Sequence, residues 1–239
     1  MRYLPSNQTD QTSLETPVNE GDIQLIFSQV YLLMTLGLVI TAVVSAAVAS
    51  SPNLLDLIFS NPWTIIGLFV AEIAVVVVLT AAITKLSPAV AVGLFILYSA
   101  LTGITFATIF LMYTDASIAT TFLITGGTFG VMSLFGFVTR RDLTRLGSLF
   151  IMLLLGFVIA SLVNMFLQSE GLYWVLTFGG IVIFVGLIAY DTQRIKRLAT
   201  ARLATGQSSS AVAILGALAL YLDFINLFLL LLRLFGRRR

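Results

Sequence analysis

Residues 217–236 read ALALYLDFINLFLLLLRLFG, an apolar run that one carboxylate, Asp223, interrupts. No charged residue occurs in the 20 positions before Asp223 or in the 9 positions after it. At a rise of 1.5 Å per residue, about 20 apolar residues in a helix cross the roughly 30 Å hydrocarbon core of a bilayer. This stretch therefore predicts a membrane-spanning helix with an acid in its interior.

Six further apolar segments of similar length precede this one. They cover roughly 24–49, 63–84, 89–113, 116–138, 147–167 and 172–190, and the last segment covers 211–235. Hydrophobic residues make up 59% of the 239 and charged residues 10%, whereas soluble domains have about 45–50% and about 25%. A single soluble core could not bury this much apolar surface. The sequence therefore predicts an all-α integral membrane protein with seven transmembrane helices.

The predicted domain organisation has two parts. Residues 1–22 are polar and mildly acidic and lack the basic region of a cleavable signal peptide, so they indicate a flexible cytoplasmic tail. Residues 23–236 form the seven-helix transmembrane domain. Within it, the link at about 198–210 is long and polar enough to predict a flexible loop.

The basic residues of the loops predict the orientation in the membrane. They follow the second, fourth and sixth segments: Lys85, then Arg140, Arg141 and Arg145, then Arg194, Lys196, Arg197 and Arg202. The alternate links carry no Lys or Arg, so the N-terminus and the basic loops are expected on the cytoplasmic side. Seven full crossings would put residues 237–239, all arginines, on the outside. Two alternatives therefore stay open. Either the last segment re-enters from the cytoplasm, or the basic residues of the earlier loops determine the orientation despite the arginines at the C-terminus.

Missing residue types exclude several kinds of chemistry. The chain has no Cys and no His, which removes thiolate nucleophiles, histidine bases and the usual zinc sites. A retinal Schiff base needs a lysine inside the last helix, but Lys85 and Lys196 both lie in predicted loops. The net charge of +2 does not indicate a nucleic-acid partner, because its positive charges mark the loops of a membrane protein.

Glycines recur in two of the apolar segments, at 126–130 (GGTFG) and at 179–180. We interpret them as sites where helices approach closely in lipid. A phosphate-binding loop would need a following lysine, which is absent from both stretches.

Three acidic residues lie within apolar segments: Glu72 in the second, Asp191 at the end of the sixth, and Asp223 in the seventh. Such a group costs roughly 2.5–3.5 kcal/mol on insertion scales and is a functional candidate by default. Each also has a structural interpretation. Glu72 and Asp223 would be neutral packing residues, and Asp191 an interfacial charge paired with Arg194. Asn226 falls on the same face as Asp223 and is expected to donate a hydrogen bond to it.

The chemistry changes if Asp191 and Asp223 meet. Two carboxylates about 4 Å apart repel by about 4 kcal/mol at an effective dielectric near 20, so the pair would share one proton and titrate as a unit. When both are ionised, they offer the hard oxygen ligands that calcium prefers. Because they lie on different helices, their protonation state would decide whether those helices attract or repel. The hypothesis is a proton sensor, calcium site and gate in one pair.

Around these residues the chain resembles the bacterial branch of the Bax inhibitor-1 family. Three stretches carry the resemblance, together with the seven-segment hydropathy: residues 139–167, the signature GLIAYDTQRIKR at 186–197, and the run at 217–236. The resemblance covers about 23–236. It implies six helices around a central seventh, in a multi-pass protein of the bacterial inner membrane.

The resemblance also implies a function. Bacterial relatives are described as pH-sensitive calcium leak proteins, and eukaryotic ones as cytoprotective suppressors of cell death. By this match Asp191 and Asp223 are the proton-sharing pair, Glu72 is a candidate pathway acid, and calcium and protons are the ions handled. No enzyme activity and no cofactor are expected. The alternative is an interaction protein that modulates a membrane-bound ATP-dependent protease or a stress response, with the tail as the segment to test.

The chain departs from the family pattern at the end of the second helix. Relatives can carry arginines there, one of which latches onto the aspartate pair, but the matching stretch here is Ala82-Ile83-Thr84-Lys85. Lys85 is the candidate replacement, although an ammonium lacks the bidentate fork of a guanidinium. The alternative is that gating differs in this chain.

Overall fold

A computed structural model describes residues 19–239 of the chain, and within that range it contains eight helices and no strand. They are α1 Glu20–Ala49, α2 Pro52–Phe59, α3 Pro62–Ala82, α4 Pro88–Met112, α5 Asp115–Val138, α6 Thr144–Leu167, α7 Glu170–Ala204 and α8 Ser210–Phe235. All but α2 are long and apolar enough to cross a membrane. The predicted all-α fold with seven transmembrane helices is confirmed. Most of the predicted tail, residues 1–18, lies outside the described residues, and α1 begins at Glu20.

Polar residues just before the helices determine where several of them begin. The side chains of Asn19, Asn61, Ser87, Thr114 and Ser169 each accept a hydrogen bond from a backbone N–H in the first turn of the following helix. These donors have no partner within the helix, so such caps stabilise its first turn. In α3 and α4 a proline also occupies the first turn, where its missing N–H costs nothing.

Helix α8 lies at the centre of the bundle. It is the most buried of the seven spanning helices in the described part of the chain, and α1, α4, α5 and α7 pack directly against it. Helix α3 packs mainly on α4, and α6 on α7. The central C-terminal helix is therefore as predicted, and the six helices around it form an inner and an outer shell.

The predicted flexible loop at about 198–210 is largely wrong, because α7 continues to Ala204 and only residues 205–209 link it to α8. Residues 192–204 are rich in Arg, Lys, Leu and Ala, which favour helix. With 35 residues, α7 is about 52 Å long at 1.5 Å per residue. It is therefore longer than the hydrocarbon core, and its last turns extend beyond the apolar layer.

The residues after α8 show that this helix runs through the whole bundle. The backbone N–H of Thr114 donates to the carbonyl of Arg237 at 3.1 Å, and that of Arg239 to the carbonyl of Met112 at 3.0 Å. The guanidinium of Arg239 also pairs with Asp115 at 2.7 Å. The last helix therefore crosses in full and ends beside the α4–α5 connection. We call this the C-terminal end of the bundle, and the end at which α1 and α8 begin the N-terminal end.

Close helix packing was predicted at the glycines of residues 126–130 and 179–180, and it is found at only one of them. A Cβ at Gly180 would lie 2.8 Å from the side chain of Leu230. At the other four, a Cβ would meet open space beyond its own helix backbone in the described part of the chain: Gly126, Gly127, Gly130 and Gly179. For these four the interpretation is wrong. Helix α5 instead approaches α7 closely at Gly136, where a Cβ would lie 2.2 Å from the carbonyl oxygen of Ala189.

Candidate functional site

Asp191 on α7 and Asp223 on α8 lie side by side inside the bundle. Both side chains line the same cavity, and their carboxyl groups are close enough to interact with each other. Asp223 is only 5% exposed, and its Oδ2 atom is buried without a hydrogen-bond partner among the described residues. The side chain of Asp191 is 15% exposed. The structure thus brings together the two acids on the last two helices.

Arg194 places a positive charge on one side of this pair. Its Nη1 atom lies 3.9 Å from Oδ1 of Asp191, one helical turn away. Because the Arg194 side chain is 56% exposed, water screens the ion pair and its contribution to stability is small. Asp191 therefore has both of the neighbours that the sequence suggested for it, the arginine three residues on and the second aspartate.

Lys85 and Asn226 make no hydrogen bond or ion pair with Asp223 among the described residues. Lys85 lies in the exposed turn after α3 and forms no ion pair within residues 19–239. The amide of Asn226 donates at 2.8 Å to the carbonyl of Leu222, one turn earlier in α8. A short polar side chain in a helix often bonds to the backbone in this way, which explains why the expected hydrogen bond from Asn226 to Asp223 is not made.

Glu72 lies apart from the aspartate pair, where α3 faces α4. It accepts a hydrogen bond of 3.0 Å from the hydroxyl of Thr105. Among the described residues, no three acidic side chains gather into a group that could hold a metal ion. A cation at the pair would therefore have two carboxylates and complete its shell with other oxygens, such as those of water.

Three cavities lie end to end along the seam between α7 and α8. The first, about 430 Å³, lies between α3, α7 and α8 toward the N-terminal end. The second, about 390 Å³, lies between α6, α7 and α8 and is lined by both aspartates. The third, about 340 Å³, continues to Arg233 near the C-terminal end.

Neighbouring cavities share lining residues, which gives their order. Asp191 and Arg194 line both the first and the second, and Phe157, Phe184 and Asn226 line both the second and the third. The aspartate pair therefore lies at the junction of the first two cavities. Two phenylalanines and an asparagine lie at the next junction.

One face of the central helix lines all three cavities. Between Val212 and Leu232, the positions of α8 that are not fully buried follow one another at intervals of three or four residues: Leu215, Ala219, Leu222, Asn226 and Leu229. Each of them lines one or two of the cavities. This spacing marks a single stripe along a helix, so the cavities follow α8 along its length.

The sequence interpretation missed a second buried polar cluster, on the opposite face of α8. The hydroxyls of Tyr221 and Thr41 share a hydrogen bond of 2.6 Å, and Thr41 donates to the carbonyl of Ser99 at 2.9 Å. Ser45 donates to the carbonyl of Gly103 at 2.7 Å, one turn further along both helices. The signal was the matching spacing of small residues in α1 and α4. Tyr221 precedes Asp223 by two residues, so this cluster fixes the rotation of α8 that turns Asp223 toward α7.

Comparison with known proteins covers nearly the whole of this architecture. The sequence profile of the family described as "Inhibitor of apoptosis-promoting Bax1" matches residues 23–239. The inner membrane protein YbhL of Escherichia coli strain K12 is 52% identical over 219 residues, which are 91% of this chain and 93% of YbhL. An uncharacterized protein of Borreliella burgdorferi is 44% identical over 212 residues, 89% of this chain and 91% of that protein. The uncharacterized protein RP147 of Rickettsia prowazekii is 40% identical over 228 residues, 95% of each chain.

Proposed function

Since the chain belongs to the Bax inhibitor-1 family of multi-pass membrane proteins, we propose that it is a pH-sensitive calcium leak in the bacterial inner membrane. The contact between Asp191 and Asp223, at the junction of two cavities, is the observation that carries this proposal. The loops at the N-terminal end of the bundle face the cytoplasm in this proposal, as their basic residues predict.

The two aspartates act as the gate because each senses the charge of the other. Two ionised carboxylates about 4 Å apart repel by about 4 kcal/mol at an effective dielectric near 20. They remain in contact while they share a proton, and they titrate as a pair. When that proton is lost, repulsion separates α7 from α8 and opens the junction between the first and second cavities.

Calcium is the ion that the opened junction suits. Two ionised carboxylates provide four oxygen atoms, and Ca²⁺ accepts six to eight oxygen ligands in a flexible geometry. Water in the adjoining cavities supplies the remaining ligands. Glu72 is a second acid for this path, because it lies one turn from Val76, which lines the first cavity on the same face of α3.

Calcium flux into vesicles that contain the purified protein tests the proposal. Asparagine has the shape of a protonated aspartate but cannot lose the proton, so Asp191→Asn and Asp223→Asn are expected to give a flux that does not change with pH. Asp56→Asn, at an exposed acid of α2, is the matched control and should keep the pH dependence of the wild type. Equal pH dependence in all four proteins would overturn the proposal.

The alternative function, modulation of a membrane-bound ATP-dependent protease, has its candidate segment in residues 1–22. Most of that segment lies outside the described residues, and no contact within residues 19–239 favours this function over the leak. Deleting residues 1–18 separates the two: a leak protein keeps its calcium flux, whereas an interaction protein loses its effect on the protease.

A further inference from the structure

A basic cavity of about 580 Å³ lies at the N-terminal end of the bundle, between the α5–α6 connection and the extended part of α7. Its charged and amide-bearing lining residues are Arg140, Arg141, Asp142, Gln193, Lys196 and Arg197. Four of these residues are cationic and one is anionic, so the cavity carries an excess of positive charge that would attract an anion.

A buried amide holds the α5–α6 connection in place around this cavity. Gln193, which is 8% exposed, accepts a hydrogen bond of 2.9 Å from the backbone N–H of Leu143. Its own amide N–H donates to the carbonyl of Arg141 at 2.8 Å. Because both hydrogen bonds go to the backbone, the position of the connection, and with it that of the two neighbouring arginines, is fixed relative to α7.

The cations of the cavity differ in how far they are already neutralised. Arg197 pairs with Asp142 at 2.9 Å. The ammonium of Lys196 donates to the carbonyl of Phe137 at 2.9 Å and lies 4.5 Å from the centre of the Phe137 ring. The guanidinium groups of Arg140 and Arg141 form no ion pair within residues 19–239. These two side chains are therefore the ones available for an external anion.

The position of the cavity indicates a lipid rather than a soluble anion. It begins where the apolar helix α5 ends at Val138, which is the level of the lipid headgroups if α5 spans the bilayer. Helix α5 leads up to it with exposed apolar side chains, among them Leu134 at 64% and Val138 at 64%. Acyl chains would cover these side chains while a headgroup occupies the cavity.

We propose that this cavity binds the phosphate-bearing headgroup of an anionic phospholipid from the adjoining leaflet, with Arg140 and Arg141 as the phosphate ligands. Basic pockets between helices at the membrane surface are suited to such headgroups. The planar guanidinium fork binds phosphate oxygens in a bidentate manner. Binding of this lipid does not depend on calcium conduction, so this proposal holds whether or not the protein conducts calcium.

Native mass spectrometry of the purified full-length protein with added phosphatidylglycerol tests this site. Wild-type protein is expected to retain phosphatidylglycerol and not phosphatidylcholine, whose headgroup has no net charge. Changing both arginines, Arg140→Gln with Arg141→Gln, should weaken retention about 25-fold, because each basic residue near a membrane surface contributes about 5-fold. Arg145→Gln is the matched control, since Arg145 follows closely in sequence but does not line the cavity, and it should bind as the wild type does.

A second measurement guards against a variant that fails to fold. Phosphatidylglycerol should raise the thermal unfolding temperature of the wild type and of Arg145→Gln, and should leave that of the double variant unchanged. Equal lipid retention by the double variant and the wild type would overturn the proposal. So would competition by inorganic phosphate as effective as that by phosphatidylglycerol, because the site would then be one for a soluble anion.

Discussion

Asp191 and Asp223 lie at the same height in two neighbouring antiparallel helices. Asp191 is 13 residues before the end of α7 at Ala204, and Asp223 is 13 residues after the start of α8 at Ser210. Because both helices rise 1.5 Å per residue from one short linker, equal distances bring the two side chains level. The contact between them therefore depends on α7 remaining helical well beyond its apolar part.

The approach of α5 to α7 at Gly136 gives a prediction about stability. Gly136→Ala would place a Cβ 2.2 Å from the carbonyl oxygen of Ala189, and the backbone there cannot move aside as a side chain can. We expect a loss of about 1–3 kcal/mol in the free energy of unfolding, typical of overpacking. Gly130→Ala, on the same helix but with open space around its Cβ, should be neutral or stabilising by up to about 1 kcal/mol, since alanine favours helix. Thermal unfolding in detergent measures both, and equal effects would contradict this packing.

The hydroxyl of Tyr221 gives a second prediction. Tyr221→Phe removes the 2.6 Å hydrogen bond to Thr41 without changing the packing of the ring, so a loss of about 1 kcal/mol is expected. Tyr190→Phe is the control, because the Tyr190 hydroxyl makes no hydrogen bond to any described residue. Unfolding curves that coincide for the two variants would show that the cluster does not stabilise α8.

The absence of cysteine makes the orientation directly measurable. Ser208→Cys places a single thiol in the exposed α7–α8 linker at the N-terminal end, and Asn53→Cys places one at the exposed start of α2 at the opposite end. In cells with a permeabilised outer membrane, a maleimide that cannot cross the inner membrane should label Asn53→Cys and spare Ser208→Cys. The reverse pattern would invert the orientation, and labelling of both would contradict a full crossing by the intervening helices.

Asp142 provides a prediction about acid pH. Hydrogen bonds from the side chain and the backbone of Thr144, together with the nearby Arg197, hold the pKa of Asp142 below its usual range. A carboxyl whose pKa is lowered by folding stabilises the fold above its unfolded pKa, and that contribution is lost as the pH falls through the lower folded value. Asp142→Asn should therefore weaken the α5–α6 connection at neutral pH, and wild type and variant should converge at strongly acid pH. The hydrogen-exchange rate of the Thr144 amide measures this weakening. A difference in that rate between wild type and variant that persists at strongly acid pH would contradict the prediction.

The number of spanning helices could be predicted because an apolar run of about 20 residues has few alternatives to crossing a bilayer. The extent of α7 could not, since hydropathy marks where the apolar layer ends and not where the helix ends. Glycine composition alone likewise does not distinguish Gly136, which faces α7, from Gly130, which has open space around it. Close packing requires glycine at Gly136, but glycine also occurs at Gly130, where a larger residue would fit, so the residue type does not reveal which one packs closely.

Part of the candidate site could also be predicted from the sequence. Asp191 and Asp223 could be singled out because an acid in an apolar segment is rare, and the family resemblance suggested that they form a pair. The positions of Lys85 and Asn226 could not be foreseen. Each depends on local geometry: the turn that leaves Lys85 exposed, and the carbonyl of Leu222 that accepts the Asn226 amide.

Infrared spectroscopy of the protonated carboxyl groups tests the central claim most directly, since it observes the shared proton itself. Wild-type protein, Asp191→Asn and Asp223→Asn would each be titrated with pH, with and without calcium. We predict that either substitution shifts the midpoint at which the protonated-carboxyl band disappears, and that calcium shifts the midpoint of the wild type alone. One unchanged midpoint in all three proteins, insensitive to calcium, would contradict a proton-sharing calcium gate.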